Sequence, residues 1–236
     1  MMVWIIAALL ALVVGAAMLM RAATSLDSEW FGKAVRRLPA GTRRVALTFD
    51  DGPSVAYSGQ ILDLLRARNI KATFFVCGKN LERHPDVARR MVAEGHEIGN
   101  HTYSHPYLYL LSRKRIEEEI DRTQSVIEKI TGVRPKLFRP PYGIRWFGLF
   151  RILRERGLKM ILWSATGFDW KDSKDQIVAS TLDELEPGAI VLLHDGHGVR
   201  SGDQVERGNT VAALPEILDR ASSLGFEFAR IGSPEV

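Results

Sequence analysis

The sequence contains almost no cysteine, since Cys77 is the only one among 236 residues. A single cysteine excludes an intramolecular disulfide framework and any Cys-rich zinc site. The chain also lacks a dense basic patch, because its Lys and Arg are dispersed and accompanied by acids, so the net charge of +4 does not indicate a nucleic-acid partner. With 46% hydrophobic and 25% charged residues, the composition is that of an ordinary globular chain, and its length favours one domain over two.

The N-terminal segment lacks charge. No charged residue occurs from Val3 to Met20, and these eighteen residues would span roughly 27 Å as a helix, close to the hydrocarbon thickness of a bilayer. Residues 1–22 are therefore predicted to be a transmembrane anchor or a signal segment. We favour a retained anchor, because no Lys or Arg precedes the apolar run and no clear small-x-small cleavage site ends it. A buried core helix is disfavoured, because the apolar residues leave no polar stripe.

Beyond this segment, strand-like and helix-like runs alternate. Residues 23–43 are predicted to be a polar linker with a short amphipathic stretch around 30–38, followed by one domain over 44–236. Strands are predicted at 44–49, 72–76, 96–99, 136–138, 158–163, 189–193 and 226–230. Helices are predicted at 60–68, 85–94, 112–132, 176–185 and 210–224. Seven strands alternating with helices predict a parallel sheet that closes or nearly closes into a barrel, with an open doubly wound sheet as the alternative.

Two pairs of metal-capable side chains follow predicted strands. Asp50 and Asp51 come at the end of the first strand, and adjacent acids repel each other unless a cation or an arginine lies between them. His101 and His105 follow the third strand, and in a helical turn this spacing places both imidazoles on one face, within reach of one metal. Either pair alone is also common in ordinary turns and on surfaces. Together, two His and one carboxylate are a recurrent metal site.

Three further strand ends carry polar residues. Arg139 follows the fourth strand beside two prolines that hold the backbone rigidly. Asp169 lies after the fifth strand, and His194 ends an unbroken apolar run. Polar residues at five strand ends are typical of the catalytic face of a barrel. A metal there would activate water and polarise an amide carbonyl, Asp50 would accept the proton of the water, and a His would protonate the leaving amine.

The segments Thr48-Phe-Asp-Asp-Gly-Pro53 and His101-Thr-Tyr-Ser-His105 resemble the first two motifs of the polysaccharide deacetylases of carbohydrate esterase family 4, which share the NodB homology domain. The resemblance covers roughly residues 44–230, and five motifs occur in the order of the family. It implies an α/β fold, a distorted (β/α) barrel. It also implies one divalent metal held by Asp51, His101 and His105; this is usually zinc, with cobalt, nickel or manganese as the other candidates.

The same resemblance implies the catalytic roles. Asp50 would be the catalytic base, Arg139 would hold Asp50, and His194 would be the general acid. The backbone N–H of Tyr142 would share the oxyanion with the metal, and the residue would also contact the substrate.

The fourth motif departs from the pattern of the family. Thr166 stands where the family usually carries an acid, which leaves Asp169 as the candidate for orienting His194. The neighbouring Trp170 is predicted to line the substrate groove.

The expected reaction removes acetyl from an N-acetylated amino-sugar glycan, peptidoglycan or chitin-like, and releases acetate. An O-acetyl esterase on a polysaccharide is the alternative enzyme, and the glycan could also be lipid-linked or acetylated xylan. Two further alternatives are a glycan-binding protein without turnover and a non-haem iron oxygenase. Both are disfavoured, because neither would need Asp50 and His194.

With the anchor, the sequence predicts a bacterial membrane protein whose catalytic domain lies outside the cytoplasm, or a secreted one if the segment is cleaved. Arg21 alone favours the opposite orientation.

Overall fold

The computed structural model describes residues 1–39, 41, 43–197 and 207–232. Parts of the predicted domain over 44–236, namely 198–206 and 233–236, lie outside the described residues, as do positions 40 and 42 of the predicted linker. Within the described part, the named strands form one sheet in which every pairing is parallel.

The sheet curls into a partial barrel surrounded by helices. Its strands are β1 (Arg44–Asp50), β2 (Thr73–Val76), β3 (Glu97–Asn100), β4 (Leu137–Phe138), β5 (Lys159–Met160), β6 (Ala165–Thr166), β7 (Ile190–His194) and β8 (Glu227–Ala229). Seven of them follow the order β5-β4-β3-β2-β1-β7-β6, and β8 pairs with the first half of β1. This confirms the distorted barrel of about seven parallel strands. The short strand β6 was not predicted, and β5 is shorter than the predicted 158–163.

Strand β1 serves both the core and the candidate site, because successive side chains of a strand point to opposite faces. Val45, Leu47 and Phe49 are fully buried in the cluster that packs the sheet against the helices. The intervening residues, Thr48 and Asp50 among them, point into the barrel instead. The alternation of apolar side chains along β1 therefore directs the carboxylate of Asp50, its last residue, into the barrel.

Eight α-helices are described. They are α1 (Met2–Thr24), α2 (Ser58–Ala67), α3 (Gly78–Arg83), α4 (Pro85–Ala93), α5 (Arg113–Thr131), α6 (Leu149–Glu155), α7 (Lys174–Asp183) and α8 (Gly208–Ser223). Helices α3 and α6 were not predicted, because six or seven residues are too few to establish a helical period. Helix α5 begins after Ser112, whose side chain accepts from the Arg115 N–H, and ends at Gly132 with a φ of 72°.

The N-terminal helix and the segment after it are joined closely to the barrel. Helix α1 is long and apolar enough to cross a membrane, and none of its most apolar stretch is buried. The predicted linker does not run free: the N–H of Val35 donates to Met160 and its carbonyl accepts from Leu162, while the N–H of Leu38 donates to Gly188. The segment therefore connects the edge at β5 with the start of β7.

Candidate active site

The carboxyl ends of the parallel strands bring the predicted site residues together. Asp50 and His194 end the neighbouring strands β1 and β7, and they are direct partners in the register of that pair. His101 and Arg139 are the first residues after β3 and β4. Because parallel strands end at the same edge of the sheet, Asp50, His101 and His194 converge on one cleft of about 440 Å³, and Arg139 lies behind Asp50.

Asp51, His101 and His105 form a buried group that could hold a metal ion. Asp51 Oδ1 lies 3.4 Å from Nε2 of His101 and 3.1 Å from Nε2 of His105, and ligand atoms of all three lie within 4.8 Å of one another. This buried oxygen has no hydrogen-bond partner among the described residues, an unfavourable situation that a bound cation would relieve. Two imidazoles and a carboxylate fit one divalent metal and leave positions open for water and substrate.

The protonation states of this group suit a metal. His101 Nδ1 lies 2.8 Å from the carbonyl oxygen of Arg139 and can bond that oxygen only as a donor, so the tautomer that can bind a metal there does so through Nε2. Burial lowers the pKa of His105 to about 4, with Asp51 partly opposing the shift. Burial alone would raise the pKa of Asp51, but the imidazoles of His105 and His101 hold that pKa well below its usual range. Neutral imidazoles and an ionised carboxylate are the forms that bind metals.

The backbone around the ligands adopts unusual conformations. Asp51 has a φ of 76°, Thr102 of 69° and His105 of 55°, all in the left-handed region that residues with a side chain rarely adopt. His101 and His105 therefore do not lie on a helical turn, and the reason given from the sequence for their proximity is wrong. The imidazoles meet, with ring centroids 4.9 Å apart, because a loop folds back on itself.

Two side chains that were not predicted hold these loops. Glu119 of α5 accepts hydrogen bonds from the N–H groups of Tyr103 and Ser104, at 2.9 and 2.8 Å, and from the Ser104 hydroxyl at 2.7 Å. The amide of Asn80 donates to the carbonyl oxygen of Asp51 at 2.7 Å. Neither residue belongs to a local pattern that could have signalled this role in the sequence.

Arg139 holds Asp50 from inside the barrel. Its guanidinium is fully buried and donates to Asp50 Oδ1 at 2.6 Å, to the Thr48 hydroxyl at 2.8 Å and to the Leu162 carbonyl at 3.2 Å. The other carboxylate oxygen of Asp50 lies 3.7 Å from His101 Nε2 and so faces the metal group. Asp50 is thus placed beside the three potential ligands while a buried arginine neutralises its charge.

His194 has a carboxylate partner in Asp169. Asp169 Oδ1 lies 2.7 Å from His194 Nδ1, and Oδ2 accepts from the His194 N–H and from the Thr210 hydroxyl, each at 2.8 Å. Burial lowers the pKa of His194, but the charge of Asp169 and its hydrogen bond outweigh burial and leave that pKa above its usual value. Burial likewise opposes ionisation of Asp169, yet His194 and Arg207 keep the pKa of this carboxyl below its usual value. The pair therefore favours an ionised carboxylate and a protonated imidazole.

The cleft has an aromatic rim. Tyr142 is 44% exposed and its ring packs against that of His105 at 4.6 Å between centroids, while Trp170 is 47% exposed and stands edge-on to His194 at 5.5 Å. Trp163 and Arg207 also line the cleft, and neither was predicted to do so. Of the predicted site residues, only Arg139 and Asp169 do not line it; they lie behind Asp50 and His194.

Two more residues bear on the predicted motifs. Thr166 bonds to residues other than His194: its N–H donates to Glu184 Oε2 at 2.7 Å, and its hydroxyl donates to the Leu192 carbonyl at 3.4 Å. Asp195 is fully buried, and burial, with Asp51 and Asp50 nearby, raises the pKa of its carboxyl to about 7 although Ser58 donates to it. With Asp50, Asp51 and Asp169, Asp195 is the fourth buried aspartate around the cleft in the described part of the chain, and its position directly after His194 is the one signal of it in the sequence.

Comparison with known proteins agrees with this geometry. Residues 37–161 match the family model described as polysaccharide deacetylase. A peptidoglycan-N-acetylglucosamine deacetylase of Bacillus cereus is 36% identical over 83% of this chain and 69% of its own length. A chitooligosaccharide deacetylase of a Bradyrhizobium species is 38% identical over 80% of this chain and 89% of its own length.

A solved structure shows the same architecture. The crystal structure of the Bc1960 peptidoglycan N-acetylglucosamine deacetylase superimposes with a TM-score of 0.77 at 35% identity, covering 84% of this chain and 90% of that one. The family match includes Asp50, Asp51, His101, His105 and Arg139, and the more extensive pairwise similarities continue beyond it. On the parallel barrel, the buried Asp-His-His group and these matches, the chain belongs to the polysaccharide deacetylase family.

Proposed function

We propose that this protein hydrolyses the N-acetyl group of an amino-sugar glycan, peptidoglycan or a chitin-like polymer, and releases acetate. The observation that carries the proposal is the placement of Asp50 and His194 on neighbouring strand ends, both lining the cleft that holds Asp51, His101 and His105. One carboxylate and one protonated imidazole at a potential metal site are what hydrolysis of an amide requires. The relatives described above are deacetylases of such glycans, which supports this substrate class.

Asp51, His101 and His105 would hold one divalent ion, zinc in our proposal because two imidazoles and a carboxylate suit it. When bound, such an ion supplies Lewis acidity toward water and toward the acyl carbonyl. Asp50 is not needed as a metal ligand, because Arg139 already donates to one of its carboxylate oxygens at 2.6 Å. Its other oxygen lies 3.7 Å from Nε2 of His101, on the side where a metal-bound water would be. Asp50 is therefore assigned to accept the proton of the attacking water.

His194 is assigned to protonate the leaving nitrogen. Amines are poor leaving groups, so the C–N bond breaks only as the nitrogen gains a proton. Asp169 orients the imidazole through Nδ1 at 2.7 Å and stabilises its cation, which leaves Nε2 to carry the proton into the cleft. The backbone N–H of Tyr142 would donate to the developing oxyanion, and Trp170 would stack on a sugar ring.

We further propose that α1 anchors the protein in the bacterial membrane with the barrel outside the cytoplasm. The helix has 23 residues, and its most apolar stretch is unburied by the protein. Cell-wall glycan lies outside the cytoplasmic membrane, which supports the orientation. Residues 44–236 would then form the catalytic domain.

The function is tested by measuring acetate release from a panel of N-acetylated and O-acetylated glycans, with the native protein before and after chelation. We expect release from N-acetylated oligomers, its loss on chelation, and its return with zinc. The matched variant Asp50→Asn should keep stoichiometric metal and lose activity by about a hundred- to ten-thousand-fold. Release from O-acetylated glycans alone would replace the proposal with an esterase, and no release from any glycan would contradict an enzymatic function.

A further inference from the structure

The end of α1 is fixed to the barrel through Arg145. The side chain of Arg145 is almost fully buried, and its guanidinium donates to the carbonyl oxygens of Ser25, Leu26 and Ser28, the last two at 3.3 and 2.8 Å. The N–H of the same residue donates to the carbonyl of Ala23 at 3.0 Å. A buried arginine is a costly element to place in a fold, and here its hydrogen bonds satisfy the carbonyls that follow the helix. The end of the helix is therefore bonded directly to the barrel.

An exposed apolar surface lies beside this junction. We call it the apolar shelf, and it comprises Trp30, Phe31, Leu110, Trp146 and Phe147. Its most exposed members are Trp30 at 69%, Leu110 at 69% and Phe147 at 62%. The ring of Phe31 lies 6.0 Å from that of Trp146 and 5.0 Å from that of Phe147. Trp30 precedes Phe31 in the chain, and Leu110 follows Tyr109, whose ring lies 5.8 Å from that of Trp146. Large neighbouring apolar side chains on a protein surface mark a contact with something other than water.

One member of the shelf, Trp30, lies beside the C-terminal end of α1. Trp30 lines a groove together with Met18 and Arg21 of α1. Met18 is six residues before the end of the helix at Thr24, which is roughly 9 Å along its axis. Trp residues concentrate at the interface of a bilayer, and an Arg at a helix end reaches from the apolar region to the headgroups.

We propose that the apolar shelf is a membrane-contact surface, so that the barrel rests on the lipid headgroup region and does not hang from a flexible tether. The inference rests on the proposal that α1 spans the membrane. A bilayer is the occupant that fits, because the shelf is continuous with the lipid-facing helix and is held to it by Arg145.

The position of the shelf constrains the substrate. A series of ring contacts runs from Trp146 through Tyr109, Tyr107 and Tyr142 to His105, with centroid separations of 5.8, 5.7, 4.2 and 4.6 Å. The potential metal site is thus separated from the shelf by four ring contacts. A barrel resting on its shelf would act on glycan segments near the membrane surface, lipid-linked or newly made, in preference to distant polymer.

The test uses the full chain in single-copy nanodiscs of phosphatidylethanolamine and phosphatidylglycerol. Cysteines introduced by Phe147→Cys and Leu110→Cys carry an environment-sensitive fluorophore, while the native Cys77 is fully buried and protected from labelling. Spin-labelled headgroup lipids serve as quenchers. The matched control is Leu224→Cys, an exposed apolar position (55%) at the end of α8, and Leu10→Cys in α1, read with acyl-chain quenchers, reports insertion of the helix.

We expect severalfold stronger headgroup quenching at positions 147 and 110 than at 224. Equal quenching at the three sites, with the α1 label inserted, would overturn the shelf proposal and leave the anchor intact. An unquenched α1 label would overturn both, and neither result would affect the deacetylase assignment, which acetate release tests separately. Arg145→Gln should reduce quenching at 147 while the α1 label stays inserted, and Arg151→Gln, an exposed arginine nearby in sequence, is its control.

Discussion

Replacing Asp169 by Asn tests how the cleft makes His194 an acid. The carboxylate is fully buried at its side chain and accepts three hydrogen bonds, from His194 Nδ1, the His194 N–H and the Thr210 hydroxyl, at 2.7 to 2.8 Å. An amide cannot reproduce this set. If its oxygen faces Nδ1, its NH₂ faces the His194 N–H, and two donors meet; if its NH₂ faces Nδ1, the imidazole can no longer donate there.

The magnitude follows from the bond that is lost. A hydrogen bond to a charged group contributes about 1.5–3 kcal/mol, which corresponds to about a ten- to hundred-and-fifty-fold loss of kcat if the cation of His194 forms before the C–N bond breaks. The direction of the pH effect is also fixed. Asp169 raises the pKa of His194 against the effect of burial, so its removal lowers that pKa and shifts the alkaline limb of the rate profile to lower pH.

The assay measures kcat for acetate release from an N-acetylglucosamine oligomer between pH 5 and 9, together with bound metal. Metal content should stay native, because Asp169 contacts none of Asp51, His101 and His105 in the described structure. Asp183→Asn, which removes an exposed acid at the end of α7, should leave rate and profile unchanged. A native kcat with an unmoved alkaline limb in Asp169→Asn would refute the assignment of His194 as an acid tuned by this carboxylate.

Three further outcomes follow from the same contacts. His101→Ala should lose most of its bound metal, measured by elemental analysis after gel filtration, because the two remaining ligands rarely hold zinc well; full occupancy would remove His101 from the ligand set. Glu119→Ala should weaken metal affinity about ten- to hundred-fold, with Glu119→Gln between it and the native protein in a zinc titration, because Glu119 fixes the loop that carries both histidines. In the metal-free protein, Asp195→Asn should raise the free energy of unfolding by up to about 4 kcal/mol above pH 7 and have little effect below pH 4. Burial raises the pKa of Asp195 to about 7, so native stability is lost as pH rises from about 4 to 7, and urea titrations at pH 4 and 8 that show no such difference would contradict this.

The strands and the site edge could be predicted from the sequence because both depend on short-range patterns. The run from Val45 to Phe49 is apolar except for Thr48 and rich in residues that favour strands, so the sequence itself predicts a strand with a carboxylate at its end. Helix α5 was predicted in the same way, from its stripe of apolar residues and from its end residues Ser112 and Gly132. The barrel then follows, because strands and helices that alternate in this way have few other ways to bury their apolar faces.

The contacts that support the site could not be predicted in the same way. Thr210 reaches Asp169 from 41 residues away, and Glu119 reaches Ser104 from another element, so no local pattern records either bond. The predicted linker was read as polar chain, yet Val35 and Leu38 bond to the barrel through backbone groups, which any residue type can supply. Long-range backbone hydrogen bonds are therefore the contacts that the sequence predicts least well.

The histidine pair shows how a correct outcome can follow from an incorrect reason. The spacing of His101 and His105 suggested a helical turn, but the chain reaches the same proximity with left-handed residues at Thr102 and His105. Such conformations cost of order 1–3 kcal/mol each and persist only where the surroundings enforce them. Here Glu119 binds the N–H of Ser104 and Thr102 Oγ1 accepts from the His105 N–H at 3.2 Å, so both contacts hold the loop in this form. Spacing predicts that two ligands can meet, whereas the anchoring hydrogen bonds determine the geometry with which they meet.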